Sequence, residues 1–215
     1  MSFSPTANHD AAPAGWQDRA LDRTLAGARA RDVERMERCV AEARRLANET
    51  TSAGFTVAQV AGRAGLSLKS FYRCFPGKDE LLLALLEDDS HIGARVLAER
   101  LEAHPDPVDA LHAYVTELIA LASLPCAVGY AGVLVREHRR LSEHHPLELR
   151  GALAPLVQLL AAHIAAATDT ADAGRDAETM FRVLLQGIDD VVVGRVDDAS
   201  ALSEYLWQFC WNGLG

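Results

Sequence analysis

Lys69, Ser70 and Arg73 stand within one short segment, 68–75, whose apolar members are Leu68, Phe71, Tyr72 and Phe75. On a helix turning by roughly 100° per residue, the apolar four gather on one side and the polar three face the other. The apolar side then docks on the protein. Two cations and a hydroxyl remain free behind a helix N-terminus, a chemistry that suits phosphate oxygens and guanine edges in a major groove. Short basic helices are also common as plain solvated surface, so the segment by itself leaves both readings open.

Other residues invite chemistry less strongly. The run Arg136 to His145 offers Glu137, His138, Glu143, His144 and His145 as metal ligands. Arg136, Arg139 and Arg140 are poor neighbours for a cation, and no H-E-x-x-H spacing is present, so a solvated helix end of paired charges is expected instead. Cys39, Cys74, Cys126 and Cys210 form no C-x-x-C pair and read as reduced thiols, with Cys74 on the outward side of the basic helix. No nucleophile elbow, phosphate-binding loop or dinucleotide fingerprint occurs, and neither an enzyme nor a cofactor is expected.

These groups need helices to position them. The 215 residues are 49% hydrophobic and 6% aromatic, with the apolar content mostly Ala, Leu and Val, a composition that favours an all-α fold. The net charge of −9 conceals an asymmetry: residues 1–78 carry 12 basic against 8 acidic side chains, and residues 79–215 carry 9 against 22. A basic N-terminal third sits on an acidic body. Residues 1–15 read as a tail, the chain turns helical in character from Trp16, and 31–49 is amphipathic. Thr56 and Ser67 are positioned to cap two short helices separated by Gly65, where a left-handed residue would end the first. Longer helices follow over about 78–103, 106–122, 127–143, 147–167, 175–194 and 199–212, divided by Pro105, Pro125 and Pro146, with a kink expected at Pro155. The charge-free run 118–135 holds Pro125, Gly129 and Gly132 and reads as two buried helices meeting, not a membrane span. The N-terminus has no secretory pattern, so a cytoplasmic location is expected.

The stretch from Phe55 to Asp88 resembles the TetR family of transcriptional regulators. Its elements are Thr56-Val57, the turn Ala64-Gly65-Leu66-Ser67, the pair Tyr72 and Phe75 around Arg73-Cys74, and Lys78-Asp79-Glu80-Leu81. The chain departs from the family's usual residues at Ala47, Thr51 and Cys74. The resemblance implies an N-terminal three-helix DNA-binding domain with a helix-turn-helix, here residues 31–77 after an extension over 1–30, and a larger helical effector-binding and dimerisation domain over 78–215. It further implies that Thr56, Ser67, Tyr72 and Lys78 touch phosphates while Lys69 and Ser70 face base edges of a double-stranded operator. The basic face adds Arg73 to that set.

The last two helices carry more apolar surface than one chain needs. Phe181, Leu184, Leu185, Ile188 and Val192 form one stripe, and Leu202, Tyr205, Leu206 and Phe209 another, with Trp207 and Trp211 projecting from the opposite side. A homodimer built on these residues is expected. The middle helices are expected to wall an apolar cavity for an unknown small apolar or amphipathic effector. His112, Tyr114, Tyr130, Gln158, His163, Gln186 and Asp189 are the polar groups able to orient it. The expected whole is a dimeric, ligand-responsive repressor. A helical small-molecule-binding or adaptor protein without specific DNA binding is the alternative.

Overall fold

The structure, a computed structural model, describes residues 15–50, 54–124 and 128–214. The residues expected as a tail up to position 14, the break at Pro125, and Thr51 and Cys126 lie outside them. Among the described residues the fold is all-α, with nine helices: α1 Trp16–Thr50, α2 Val57–Arg63, α3 Leu68–Cys74, α4 Lys78–Leu101, α5 Pro107–Ser123, α6 Val128–His144, α7 Pro146–Ala167, α8 Ala173–Val192 and α9 Ala199–Leu214. The amphipathic stretch over 31–49 is part of the 35-residue α1. That helix contains no proline and only Gly27, and a single interior glycine costs about 1 kcal/mol, too little to end it.

Local chemistry explains the boundaries. Thr56 closes a capping box on α2, with the Gln59 amide donating to Thr56 Oγ1 at 3.2 Å and the Thr56 amide donating to Gln59 Oε1 at 2.7 Å. Gly65 then takes φ +68°, Leu66 N–H bonds to Ala61 O at 2.8 Å and Gly65 N–H to Gly62 O at 3.2 Å, which is the Schellman ending. Ser67 accepts from the Ser70 amide at 3.2 Å and starts α3. Asp106, Pro107 and Asp109 open α5 as cap, first-turn proline and acidic first turn. Asp172 caps α8, and Gly194 at φ +70° ends it.

Two apolar cores result. The first holds Cys39, Leu46, Phe55, Val60, Phe71 and Phe75 together with Leu81, Leu82, Leu85 and Leu86 of α4. It continues past the helix-turn-helix into Val133 and Leu141 of α6 and Leu149 and Ala152 of α7. The second joins Leu97, Leu101, Tyr114, Ile119, Leu160, Ile164, Phe181, Leu184 and Leu206. α4 therefore belongs to both cores, and Leu153 of α7 packs against both. By length and composition, one helix among the described residues, α7, would be able to cross a membrane. In this fold it lies against α4, α5 and α8.

Candidate nucleic-acid interface and internal cavity

α3 is anchored by one ring. Phe71 is fully buried, with Phe75 buried behind it at a ring separation of 5.7 Å. The apolar side is narrower than helical angles alone suggest: Leu68 and Tyr72 are 48% and 54% exposed. A helix of seven residues packed on α1 and α2 buries only its central line, leaving its flanks in water. Tyr72 instead sets its ring edge-on to Phe71 at 5.6 Å. Cys74 also differs from expectation, because it packs half-buried against the first core. Burial raises the Cys39 thiol to about 11, and the neighbouring Cys74 adds to that shift.

The seven residues proposed for DNA contact occupy one end of the molecule. Thr56, Ser67, Lys69, Tyr72 and Arg73 are exposed, and Ser70 is half-buried. The Ser67 and Ser70 hydroxyls lie 3.0 Å apart. Arg73 reaches Asp32 of α1 at 3.4 Å and keeps most of its side chain in solvent. Lys78, at the start of α4, places Nζ 4.6 Å from the centre of the Phe55 ring, and burial lowers its ammonium pKa against the opposing pull of Glu137. The arrangement presents cations, hydroxyls and a phenol outward from a helix fixed from behind.

α4 leaves this end through charged clasps. Arg140 of α6 grips Asp79 with two hydrogen bonds, 2.7 and 3.0 Å, and bonds Glu137 at 2.9 Å, while His145 approaches Asp79 at 3.3 Å. The run 136–145 is thus tied to the first turn of α4 as well as paired within itself. Arg140 and then His145 hold the Asp79 carboxyl below its ordinary range. Three turns further along α4, Asp89 accepts from Arg44 Nε of α1 at 2.9 Å and from the Tyr130 hydroxyl of α6. Arg44 also bonds Asp88 at 2.5 Å. Desolvation raises the Asp89 pKa even though Tyr130 and Arg44 oppose it, and burial raises that of the Tyr130 phenol.

Beside Asp89 lies a cavity of about 250 Å³ walled by Leu86, Leu97, Leu118, Leu134, Leu156 and Phe181 among others. Its polar lining consists of Asp89, Ser90, Tyr130 and His138. Ser90 is 2% exposed and its hydroxyl has no hydrogen-bond partner among the described residues. Burial lowers the His138 pKa and favours the neutral ring.

Of the polar groups considered for a ligand, the structure brings only Tyr130 into this lining. Tyr114 is fully buried and donates to Leu156 O at 3.0 Å. His112 meets Glu204 at 2.9 Å and the Trp207 ring at 5.1 Å. Gln158 lies in an open groove between α7 and α8, next to the cavity, with Arg150 and Arg182. His163 is half-buried elsewhere on α7, exposed Gln186 donates to Asp190 at 3.0 Å, and buried Asp189 pairs with Arg195 at 3.2 Å and Arg139 at 3.5 Å. Asp89, Ser90 and His138 were not among the candidates. In sequence the first two sit in the polar run Glu87 to His91, which looks like a solvated stripe.

The last two helices also sort differently from their linear pattern. Phe181, Leu184, Ile188 and Leu206 are buried in the chain's own second core, with Leu185, Val192, Leu202, Trp207 and Trp211 partly buried against it. Trp207 and Trp211 stack at 5.1 Å. Tyr205 and Phe209, expected at a homodimer interface, are 62% and 59% exposed in the single chain and lie 6.4 Å apart as a stacked pair. Ser203, Leu206 and Cys210 define the buried line of α9, which turns those two rings outward.

Comparison with known proteins bears on this arrangement. Residues 40–85 match the family described as bacterial regulatory proteins, tetR family. A TetR transcriptional regulator from Rhodococcus sp. RHA1 superposes with TM-score 0.67 at 18% identity, covering 84% of this chain and 95% of that one. RolR, in complex with the ligand resorcinol, superposes with TM-score 0.65 at 16% identity, covering 84% and 89%. The transcriptional regulator FadR from Bacillus subtilis, in complex with stearoyl-CoA, gives TM-score 0.63 at 15% identity, covering 81% and 96%. At these identities the superpositions establish a shared fold. No curated protein matches the chain in sequence.

Proposed function

We propose that the chain, which matches the tetR family of bacterial regulatory proteins over residues 40–85, is a member of that family and acts as a cytoplasmic, ligand-responsive repressor. A homodimer binds a pseudo-palindromic operator, and a small effector in the cavity beside Asp89 weakens that binding. The observation that carries this reading is the outward face of α3, where Lys69, Ser70, Tyr72 and Arg73 surround a helix pinned by Phe71. Thr56, Ser67 and Lys78 flank that face and supply phosphate contacts.

Dimerisation follows from the requirement of two recognition helices about one DNA turn apart, roughly 34–36 Å. The exposed Tyr205 and Phe209 on α9 offer the apolar patch on which two copies meet. Two proteins of this fold are in complex with small molecules, resorcinol in one and stearoyl-CoA in another, which supports ligand binding by this chain. An effector changes DNA affinity only if it favours one placement of α3 over another, and a coupling of about 1–3 kcal/mol changes occupancy roughly 5- to 150-fold.

The test is selection of genomic fragments by the purified, ligand-free chain at moderate salt, then a salt titration of the best fragment. A shared inverted repeat, a steep salt slope and loss of binding in Lys69→Ala plus Arg73→Ala with helicity intact support the reading. Weak, sequence-indifferent binding refutes it in favour of a ligand-binding or adaptor protein.

A further inference from the structure

The cavity beside α4 is built for a particular kind of molecule. A 150 Å³ apolar cavity holds a benzene ring, so a space of about 250 Å³ takes roughly ten non-hydrogen atoms. Its walls are hydrocarbon apart from His138 and a polar corner where Tyr130 meets Asp89 beside Ser90. No lysine or arginine lines it among the described residues.

We propose that the cavity takes a compact, neutral alcohol or phenol, whose hydroxyl donates to the Asp89 carboxylate and engages the Ser90 hydroxyl. The inference rests on the regulator reading for the ligand's role as effector. It stands on Ser90, a cavity-lining residue whose buried hydroxyl has no partner among the described residues. A buried hydroxyl left unbonded costs stability, and a ligand hydroxyl at this corner recovers that cost. Asp89 supplies the acceptor, since each carboxylate oxygen retains lone-pair capacity beyond the bonds to Arg44 and Tyr130. The same carboxylate disfavours an anionic ligand, because no cation inside the cavity would offset a second buried negative charge. The arginines of the adjoining groove, Arg150 and Arg182, both lie 3.7 Å from Glu178. A long acyl chain exceeds the volume.

The chemistry also addresses the DNA-binding end. Asp89 holds Arg44 of α1 with one oxygen and Tyr130 with the other. A ligand hydroxyl therefore competes for a carboxylate that ties α1 to α4.

Three probes on one bicyclic frame separate the possibilities: 2-naphthol, naphthalene and 2-naphthoate, titrated calorimetrically into the full chain and into Ser90→Ala. The expected result is 2-naphthol binding roughly tenfold more tightly than naphthalene, no measurable naphthoate binding, and loss of most of the hydroxyl's advantage in Ser90→Ala with naphthalene affinity unchanged. Equal affinity for naphthol and naphthalene, preference for naphthoate, no binding of any probe, or an undiminished hydroxyl advantage in Ser90→Ala each overturns it. Fragment selection on the ligand-free chain reads the regulator hypothesis separately. Naphthol binding without operator binding retires only that hypothesis, and operator binding without naphthol selectivity retires only this one.

Discussion

Replacing Ser90 with alanine should make the free protein more stable, an unusual outcome for a fully enclosed position. The serine oxygen is buried and lacks a protein partner among the described residues. Removing an unsatisfied buried hydroxyl recovers about 1–3 kcal/mol. Ser90 also lies inside α4, where alanine is the better helix former by about 0.5 kcal/mol. Relaxation of the corner and the small loss of packing reduce the sum, and a net gain of about 1–2 kcal/mol is expected. For a chain of this size each kcal/mol moves the midpoint by roughly 2–4 °C, so Tm should rise by about 2–8 °C. Urea titration followed by far-ultraviolet circular dichroism reads the helices as a whole, and tryptophan fluorescence in a Trp16→Phe background reports on Trp207 and Trp211 at the second core. The midpoint should rise with the slope m unchanged. Equal or lower stability in Ser90→Ala would mean that the hydroxyl is satisfied in the free protein, and the argument for a ligand hydroxyl would lose its footing.

Lys69→Ala removes an exposed cation from each copy; stability should stay within about 0.5 kcal/mol, while operator affinity falls and the log–log salt slope of the dimer shrinks by about two, one per copy. Phe71→Ala empties the only fully buried position of α3 and should cost about 3–5 kcal/mol, abolishing operator binding in a gel-shift assay while the Trp207 and Trp211 emission remains native. Phe209→Glu with Tyr205→Glu places charge on the outward face of α9 and should give monomers by sedimentation, against dimers for the parent chain. Arg140 and His145 hold the Asp79 carboxyl below its ordinary value, so the unfolded chain takes up that proton first as pH falls. The stability Asp79 contributes is complete above its unfolded value near 3.9 and is lost as pH drops through the lower folded value. Asp79→Asn should accordingly flatten the acid limb of the stability profile in that window, as measured by denaturation midpoints from pH 5 down to pH 2.

The helix borders were legible because short-range chemistry sets them. Thr56, Ser67 and Asp106 cap, Gly65 turns left-handed, and Pro107 and Pro146 sit at first-turn positions. The outward placement of Lys69 and Arg73 was legible for a related reason: Phe71 and Phe75 fix the rotation of a very short helix, and the two cations follow. Rotation of the long helices was not. α9 is apolar on nearly every side, so angles alone do not decide whether Tyr205 and Phe209 or Trp207 and Trp211 turn inward. That choice depends on how α5 and α8 cross it. The polar corner of the cavity was hidden for the opposite reason. Glu87 to His91 is a polar run in which Glu87 and His91 do face water, while a rotation of about 100° per residue sends Ser90 inside. Nothing local distinguishes them, because what buries Ser90 arrives from α5, α6 and α7.

On the proposed function, the position of α4 makes ligand and DNA compete for one helix. Its N-terminal half, through Leu81, Leu82, Leu85 and Leu86, is packed into the core that also holds Phe71. Its C-terminal half, through Leu97 and Leu101, is packed into the core of the larger bundle. The cavity opens onto the stretch between, from Leu86 to Leu97, bordered by the Asp89 bonds to Arg44 and Tyr130. Close-packed cores do not deform continuously, so a displacement at this stretch has to be taken up by α4 moving as a rod or by one core repacking. The Asp79 clasp to Arg140 and His145 favours the rod, because it fixes the first turn of α4 to α6 and its end. A ligand that draws Asp89 toward the cavity thus acts on α1 through Arg44 and on α3 through the shared first core.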